Sequence, residues 1–537
     1  MRAHDLVVVG GGHNGLVTAA YAARAGLSTL VLEARDRVGG ASVTEEPWTG
    51  YRVSTAAYVV SLFRPEIVRE LELARHGYAV LARNPSSFTP LPDGRSLLLG
   101  PDAALNRREI ARFSARDAER FPRYEALLDR IARAVEPSLL EAPPDPFSGR
   151  PADLLRLARS GWRLLRLGRD GPRALEVLLG AARPILERWF ESEPLRATLA
   201  TDAIIGAMAS PSTPGTAYVL FHHVMGEVDG ARGVWGYVRG GMGALPEALA
   251  AAARAAGAEI RTGARVARIR VREGRADGVV LADGTELAAG RVASSADARV
   301  TLLGLAGAEH LAPEVAEAVA AIDYRSASLK VNLALAAPPR FAALPHEGDA
   351  PGPQHRGTIH LCPDLDTIER AYADALAGRP SVEPVLELTM PSAVDPSLAP
   401  PGRHVLSMFV QYAPYRLAPG LGTWDDQKEP FADRCVDLVE RYAPGFKASI
   451  LHREVLSPLD LERRFGLTGG NIFQGAMTPS QLFFLRPLPG HAGYRTPIRN
   501  LYLCGAATHP GGGVMGACGR NAAREILRDA RRGWPRA

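Results

Sequence analysis

Cysteine, long apolar runs and lysine are all scarce in this chain, and each scarcity excludes something. Four cysteines, Cys362, Cys435, Cys504 and Cys518, are scattered through 537 residues with no C-x-x-C pair among them. That spacing argues against a redox-active dithiol and against a disulfide-stapled secreted fold. Cys504 and Cys518 read as small buried hydrophobes. No apolar run approaches the roughly 18 residues that a membrane-spanning helix needs. Lysine occurs only at 330, 428 and 447, so the net charge of +5 rests almost wholly on arginine. No basic stripe interleaved with aromatics accompanies it, so no nucleic-acid partner is expected. Histidine is not spaced for a metal either: His222 and His223 are adjacent and a third ligand is missing, so they read as core or pocket residues.

What remains is ordinary globular material, 46 % hydrophobic and 23 % charged. A chain of this length exceeds one hydrophobic core and suggests two to four domains. The first apolar segment begins a few residues after Met1, which leaves no room for a signal or transit peptide. A cytoplasmic protein is the expectation.

The first forty residues carry the clearest signal. Leu6-Val7-Val8-Val9 reads as a buried strand, Gly10-Gly11-Gly12-His13-Asn14-Gly15 as a tight turn opening a helix, and Thr29-Leu30-Val31-Leu32-Glu33 as a second strand with an acidic end. A dinucleotide needs each part. Gly10 permits the turn, Gly12 lets the backbone approach the pyrophosphate, and Gly15 allows close helix packing. The anion then rests on the helix N-terminus. Glu33 lies where an acid takes the ribose hydroxyls, which disfavours NADP and leaves NAD or FAD.

Two further segments bear on the choice. Ala34-Arg35-Asp36-Arg37-Val38-Gly39-Gly40 places a glycine pair just past the acidic strand end, with Arg37 as a phosphate-complementing cation. Near the other terminus, a buried strand at 500–504 runs into Gly505-Ala506-Ala507-Thr508, then His509-Pro510-Gly511-Gly512-Gly513-Val514-Met515-Gly516. A helix is expected from about Val514. So many glycines are costly there unless something must come close. A flavin ring over Gly505, Gly513, Val514 and Met515 would supply the reason, with the helix dipole favouring its reduced, negative form.

With Pro214-Gly215-Thr216, His222-His223-Val224-Met225-Gly226 and Gly240-Gly241-Met242-Gly243, these motifs resemble the phytoene-desaturase-like, amine-oxidase-related FAD superfamily. Within it the chain is most similar to the branch called pyridine nucleotide-disulfide oxidoreductase domain-containing protein 2. The resemblance implies a non-covalent FAD, oxidoreductase chemistry, and an adenine facing the backbone near Val266. For eukaryotic members it implies the mitochondrial matrix and a part in regulating mitochondrial function. No second G-x-G-x-x-G is present, so no separate NAD(P)H domain is expected.

The expected fold is α/β: a discontinuous, Rossmann-like FAD-binding domain (1–60, 226–310 and 490–537) with an inserted α+β substrate domain. Helices at 61–225 would roof a mixed sheet at 311–489. Asn471 to Met477 and Leu482 to Leu485 offer apolar lining before the flavin loop. A small apolar substrate, polyenoid or lipid-like, that gives hydride to flavin N5 is the leading reading. His509, and less so His13, are candidate proton acceptors. A flavin-stabilised partner-binding protein and an amine oxidase stay open as alternatives.

One stretch stands apart. Between Pro151 and Arg173, Arg156, Arg159, Arg163 and Arg166 fall on one sector of a helical wheel, and Leu154, Leu155, Ala158, Trp162 and Leu165 on another. Such a helix suits peripheral membrane contact. The plainer expectation is that its apolar side packs inward.

Overall fold

The computed structural model describes residues 4–228, 231–346 and 348–532. Strand β1 (Leu6–Val9), helix α1 (His13–Arg24) and strand β2 (Thr29–Leu32) form the opening unit. Every residue of the two strands is buried, as suits β-branched runs covered on both faces. A hairpin of β3 (Ser87–Pro90) and β4 (Ser96–Leu99) follows. After it come the principal helices α2 (Ala115–Val135), α3 (Pro151–Leu165), α4 (Gly171–Leu179), α5 (Glu193–Ile204) and α6 (Thr216–Val224).

The chain returns through α7 (Ala244–Ala255) and β5 (Glu259–Arg261). It then makes an antiparallel meander, β6 (Val266–Arg272), β7 (Arg275–Leu281) and β8 (Glu286–Ala288), and re-enters the first sheet as β9 (Val292–Ser294). A second excursion holds β10 (Ser328–Leu335), β11 (Thr358–Leu361), helix α8 (Leu365–Leu376), β12 (Val385–Thr389), β13 (His404–Gln411), helix α9 (Trp424–Tyr442) and β14 (Ile450–Leu456). Strand β15 (Leu501–Leu503) and helix α10 (Ala517–Arg532) complete the opening unit.

Two sheets result. The first is parallel throughout, in the order β5-β2-β1-β9-β15. Its core side chains come from α1, α7 and α10 on one face and from the meander and the 299–319 region on the other. The second has seven strands, β14-β10-β13-β12-β11-β3-β4, antiparallel except where β3 meets β11. Helices α2, α4, α5 and α6 build a third core of their own. This is an α/β architecture, a parallel sheet joined to a mixed one. Among the described residues no helix is long and apolar enough to cross a membrane.

Three sequence expectations are corrected. The stretch 61–225 is not helix alone: β3 and β4 extend the second sheet, and the proline-flanked Ser-Phe-Thr-Pro disguises an edge hairpin, where proline is tolerated. The last helix begins at Ala517 rather than near Val514. Val514 and Gly516 stand in the left-handed region at φ +56° and +70°, and a Cβ on Gly516 would press on Phe63 at 2.8 Å. Finally, the apolar side of α3 faces outward: Leu154, Leu155, Trp162 and Leu165 are all exposed. The half-buried Leu164 beside them, with Leu167 just past the helix, packs on the helical core instead.

Candidate active site

A cavity of about 980 Å³ extends from the β1–α1 turn to the face of the second sheet. At its first end the wall is largely main chain. Gly10 turns at φ +92°, and a Cβ on it would strike Ser295 Oγ. Gly12 differs, because a Cβ there would meet nothing within 4 Å and would stand in the cavity. Gly12 also precedes α1 without any side-chain cap, so the first N–H groups of this helix are free for an anion. Gly15 does not line the cavity; a Cβ on it would strike the Gly10 carbonyl, so it serves close packing.

The second glycine pair lies against the first. Gly39 donates its N–H to the Gly11 carbonyl at 2.9 Å, and a Cβ on Gly40 would sit 3.4 Å from Gly12 Cα. Glu33 is buried beside them. Its Oε2 accepts the Gly11 N–H at 2.7 Å and its Oε1 accepts the Arg35 N–H at 2.8 Å. Asn14 Oδ1 accepts the Gly519 N–H at 3.4 Å, tying α1 to α10.

His13 and His222 line the cavity with Nε2 atoms that are buried and unpartnered. Burial lowers their pKa values to about 4 and about 3, so both rings are neutral. Unsatisfied polar atoms in a buried wall point to a ligand that satisfies them. An uncapped helix, a glycine open to the cavity and a buried ribose-facing acid together fit FAD.

The opposite end is built from side chains. Sheet register sets Lys330 opposite Phe409, Phe409 opposite Glu387, and Glu387 opposite His360. Residues paired this way share one face, so these four make a transverse row across β10, β13, β12 and β11. All four line the cavity. Lys330 Nζ donates to the carbonyls of Ala56 (2.8 Å) and Ser54 (3.3 Å) and lies 4.3 Å from the Tyr58 ring centroid. Burial lowers its pKa to about 7.

Above this row stand Asp202 of α5, His223 of α6 and Arg83. Burial holds the Asp202 carboxyl above the usual carboxylate range. Arg83 Nη1 donates to Thr358 Oγ1 at 2.7 Å. Thr201 gives its hydroxyl proton to the Thr198 carbonyl at 2.8 Å, so at 3.0 Å His360 Nδ1 is the donor to Thr201 Oγ1. In the neutral ring, Nε2 is then an acceptor. Glu387 Oε1 is buried with no hydrogen-bond partner, 3.6 Å from His360 Nδ1.

Of the residues named from sequence, the structure brings Gly10, Gly12, His13, Asn14, Glu33, Ala34, Gly39, Gly40, Val266, Gly505, Gly513 and Val514 to this one cavity. A Cβ on Gly513 (φ +109°) would press on His222 Cε1 and Leu62 Cδ1, each at 2.8 Å. Besides Gly15, three others lie elsewhere. Arg37 is outside the lining and pairs with its neighbour Asp36, while Arg35 takes a place in the wall and pairs with Glu45 at 2.5 Å. Met515 is buried in the helical core. His509 is buried away from the cavity, its Nε2 held by the Ser138 carbonyl at 3.0 Å and its pKa lowered to about 4 by burial. An imidazole so placed does not reach a substrate in this cavity.

Sequence reasoning missed Arg35, Arg83, Asp202, His360 and Glu387, and gave Lys330 no role. The signal was there in principle. Each of Lys330, His360 and Glu387 stands between two apolar neighbours in a buried strand, and a charged or titratable residue there needs a reason.

A parallel sheet carrying an open glycine cradle, joined to a second sheet that closes a cavity over it, defines an FAD-dependent oxidoreductase. The chain belongs to the flavin-containing amine oxidoreductase family, whose pattern matches residues 15–527. It is 49 % identical to pyridine nucleotide-disulfide oxidoreductase domain-containing protein 2 of Rattus norvegicus, over 98 % of this chain and 94 % of that protein. It is 27 % identical to a lycopene-forming phytoene desaturase of Pseudescherichia vulneris, over 95 % and 96 %. Cyclohexylamine oxidase from Brevibacterium oxydans has the same fold, at a TM-score of 0.56 and 17 % identity over 99 % of this chain and 100 % of that one. All four cysteines here are buried and free.

Proposed function

We propose that this enzyme dehydrogenates an elongated, largely apolar substrate that carries one polar end. The observation that carries this reading is the make-up of its cavity wall. Apolar Leu62, Leu199, Ile205, Ile472 and Phe473 line the same space as Gly513 and Val514, and so does the polar row of Lys330, Glu387 and His360. A wholly apolar ligand would leave Glu387 Oε1 unmatched and the Asp202 carboxyl desolvated, which costs free energy. A hydroxyl or amine at the end of the substrate would answer them. The similarity to a phytoene desaturase supports the apolar body, and the family's description supports a nitrogen-bearing end.

The cofactor, when bound, supplies the hydride acceptor at N5. The chain's own part is to bind, orient and exclude water. Gly10, Gly12 and the N-terminus of α1 would hold the pyrophosphate, Glu33 the ribose, and Gly505, Gly513 and Val514 the ring. Phe409 and Tyr58, 5.9 Å apart between centroids, wall the substrate space beside Lys330. Near pH 7 the Lys330 amine takes or gives a proton at Nζ with little cost.

A second reading, amine oxidation, is favoured by the two carboxylates, Asp202 and Glu387, which would pair with an ammonium. One experiment separates the readings. The purified yellow protein is mixed anaerobically with a carotene, the matching long-chain alcohol, the matching amine and NAD(P)H in turn, and bleaching of the flavin band is followed. Fast bleaching by the alcohol is the expected result, and bleaching by the amine alone would establish the second reading. If dithionite bleaches the flavin and no organic compound does, both fail and a partner-binding flavoprotein is the better description.

A further inference from the structure

Large hydrophobic side chains are exposed at ten positions among the described residues, and seven of the ten fall between Phe147 and Leu179. Four of these lie on α3. Leu154, Leu155, Trp162 and Leu165 are 55 %, 52 %, 64 % and 73 % exposed, and Phe147 just before the helix reaches 86 %. Single exposed hydrophobes are ordinary, but a contiguous patch of them marks a contact surface. The helix is not loose. Asp153 is buried and accepts the Ser148 hydroxyl at 2.7 Å, Leu164 and Leu167 pack on the helical core, and Arg130 of α2 pairs with Asp170 at 2.8 Å. Its inward face is thus fixed, and among the described residues its outward apolar face packs against no core cluster.

Charge says what that partner is. The acids of this region are engaged: Asp153 by Arg156, Asp170 by Arg130 and Arg173, Glu176 by Arg188. Arg159, Arg166 and Arg169 are exposed and carry no ion pair among the described residues. On the α3 wheel Arg159 and Arg166 border the Leu155–Trp162 edge of the apolar arc. A second copy docking here about a two-fold axis would bring these arginines against their own duplicates. An anionic lipid surface suits both features, taking the apolar side chains below the headgroups and leaving the guanidinium groups at phosphate level.

We propose that α3, with Phe147 and the exposed leucines of α4, is a lipid-docking face that holds the enzyme on anionic membranes. Each free arginine near such a surface strengthens binding and makes it salt-sensitive. If the apolar substrate proposed above is correct, the face also has a use in catalysis. It packs beside α2, whose Phe121, Tyr124 and Leu128 line the cavity.

The test needs no substrate, so its failure is separable from failure of the substrate reading. The FAD-loaded protein is sedimented with phosphatidylcholine vesicles, and with vesicles of equal parts phosphatidylcholine and phosphatidylglycerol. Strong binding to the second alone is expected, falling with added salt. The double variant Trp162→Glu/Leu165→Glu should bind at least tenfold more weakly with unchanged flavin content. The triple variant Arg159→Gln/Arg166→Gln/Arg169→Gln should lose the salt-sensitive part. Flavin content serves as the folding check, and a variant that fails it is replaced by Trp162→Ser/Leu165→Ser. No binding to anionic vesicles, or binding indifferent to both variants, would overturn the proposal. So would concentration-dependent dimerisation abolished by Trp162→Glu/Leu165→Glu without vesicle binding, which would assign the face to a second copy.

Discussion

One end of the cavity is walled by backbone and the other by side chains, and they respond to change in opposite ways. At Gly10, Gly12, Gly39 and Gly40 the chain offers the ligand its own main chain, and a side chain there is an obstruction. At Lys330, Phe409, Glu387 and His360 the second sheet offers a row of functional groups whose backbone is regular strand. The first end tolerates almost no substitution but has one fixed task. The second should be open to change without loss of the cofactor, since its side chains rather than its main chain face the cavity.

That contrast can be broken from either side, and the largest effect should come from the cradle. Gly12→Val would place a branched side chain where the pyrophosphate lies, so the purified variant should be colourless. Flavin absorbance after purification checks it, with circular dichroism showing the fold intact. A yellow Gly12→Val protein would mean that the cofactor sits elsewhere.

A change at the far end should leave colour untouched. Glu387→Gln removes the charge of a buried, unpartnered oxygen while keeping the shape. Flavin content should equal wild type, and kcat/KM for a polar-ended substrate should fall about 30-fold, the scale of roughly 2 kcal/mol for a hydrogen bond to a charged group. Arg35 and Arg37 provide a finer comparison. Arg35→Ala should weaken FAD binding about tenfold, since a charge-assisted contact is worth roughly 1.5–3 kcal/mol at most, while Arg37→Ala at the exposed Asp36 pair should leave it unchanged. Titrating the apoproteins with FAD distinguishes them.

A last effect concerns stability rather than binding or rate. Lys330 has a folded pKa of about 7 against 10.5 in the unfolded chain. The unfolded state therefore binds more protons between those values, so stability rises with pH across that window. The slope from this one group approaches about 1.4 kcal/mol per pH unit in mid-window. Wild type should gain stability from pH 7.5 to 9.5 more steeply than Lys330→Met, as read by urea denaturation.

The same contrast explains what the sequence made legible. Gly10, Gly12, Gly15, Gly39 and Glu33 announce the cradle because glycine and acid at fixed spacing around a strand–helix turn have few other uses. The transverse row was invisible because it is made by register: residues 330, 360, 387 and 409 become neighbours only when four strands pair. Residue type cannot separate Arg37 from Arg35, and only the turn after Glu33 decides which of the two lines the cavity. His509 looked catalytic by its place next to the glycine loop, yet its ring is tied to the Ser138 carbonyl and does not line the cavity. For α3 the wheel gave both an apolar and a basic side correctly; it could not say that Leu164, on neither, would be the one to pack.

The most direct measurement is the anaerobic rate of flavin bleaching in wild type and Glu387→Gln, using a long-chain alcohol or amine and the hydrocarbon of the same length. If the row holds the polar end of a substrate whose body reaches the flavin ring, wild type reacts much faster with the polar-ended compound. The Glu387→Gln enzyme then loses that preference while remaining fully yellow. Equal rates with both compounds in both proteins would contradict it, since the row would then make no contact with the substrate.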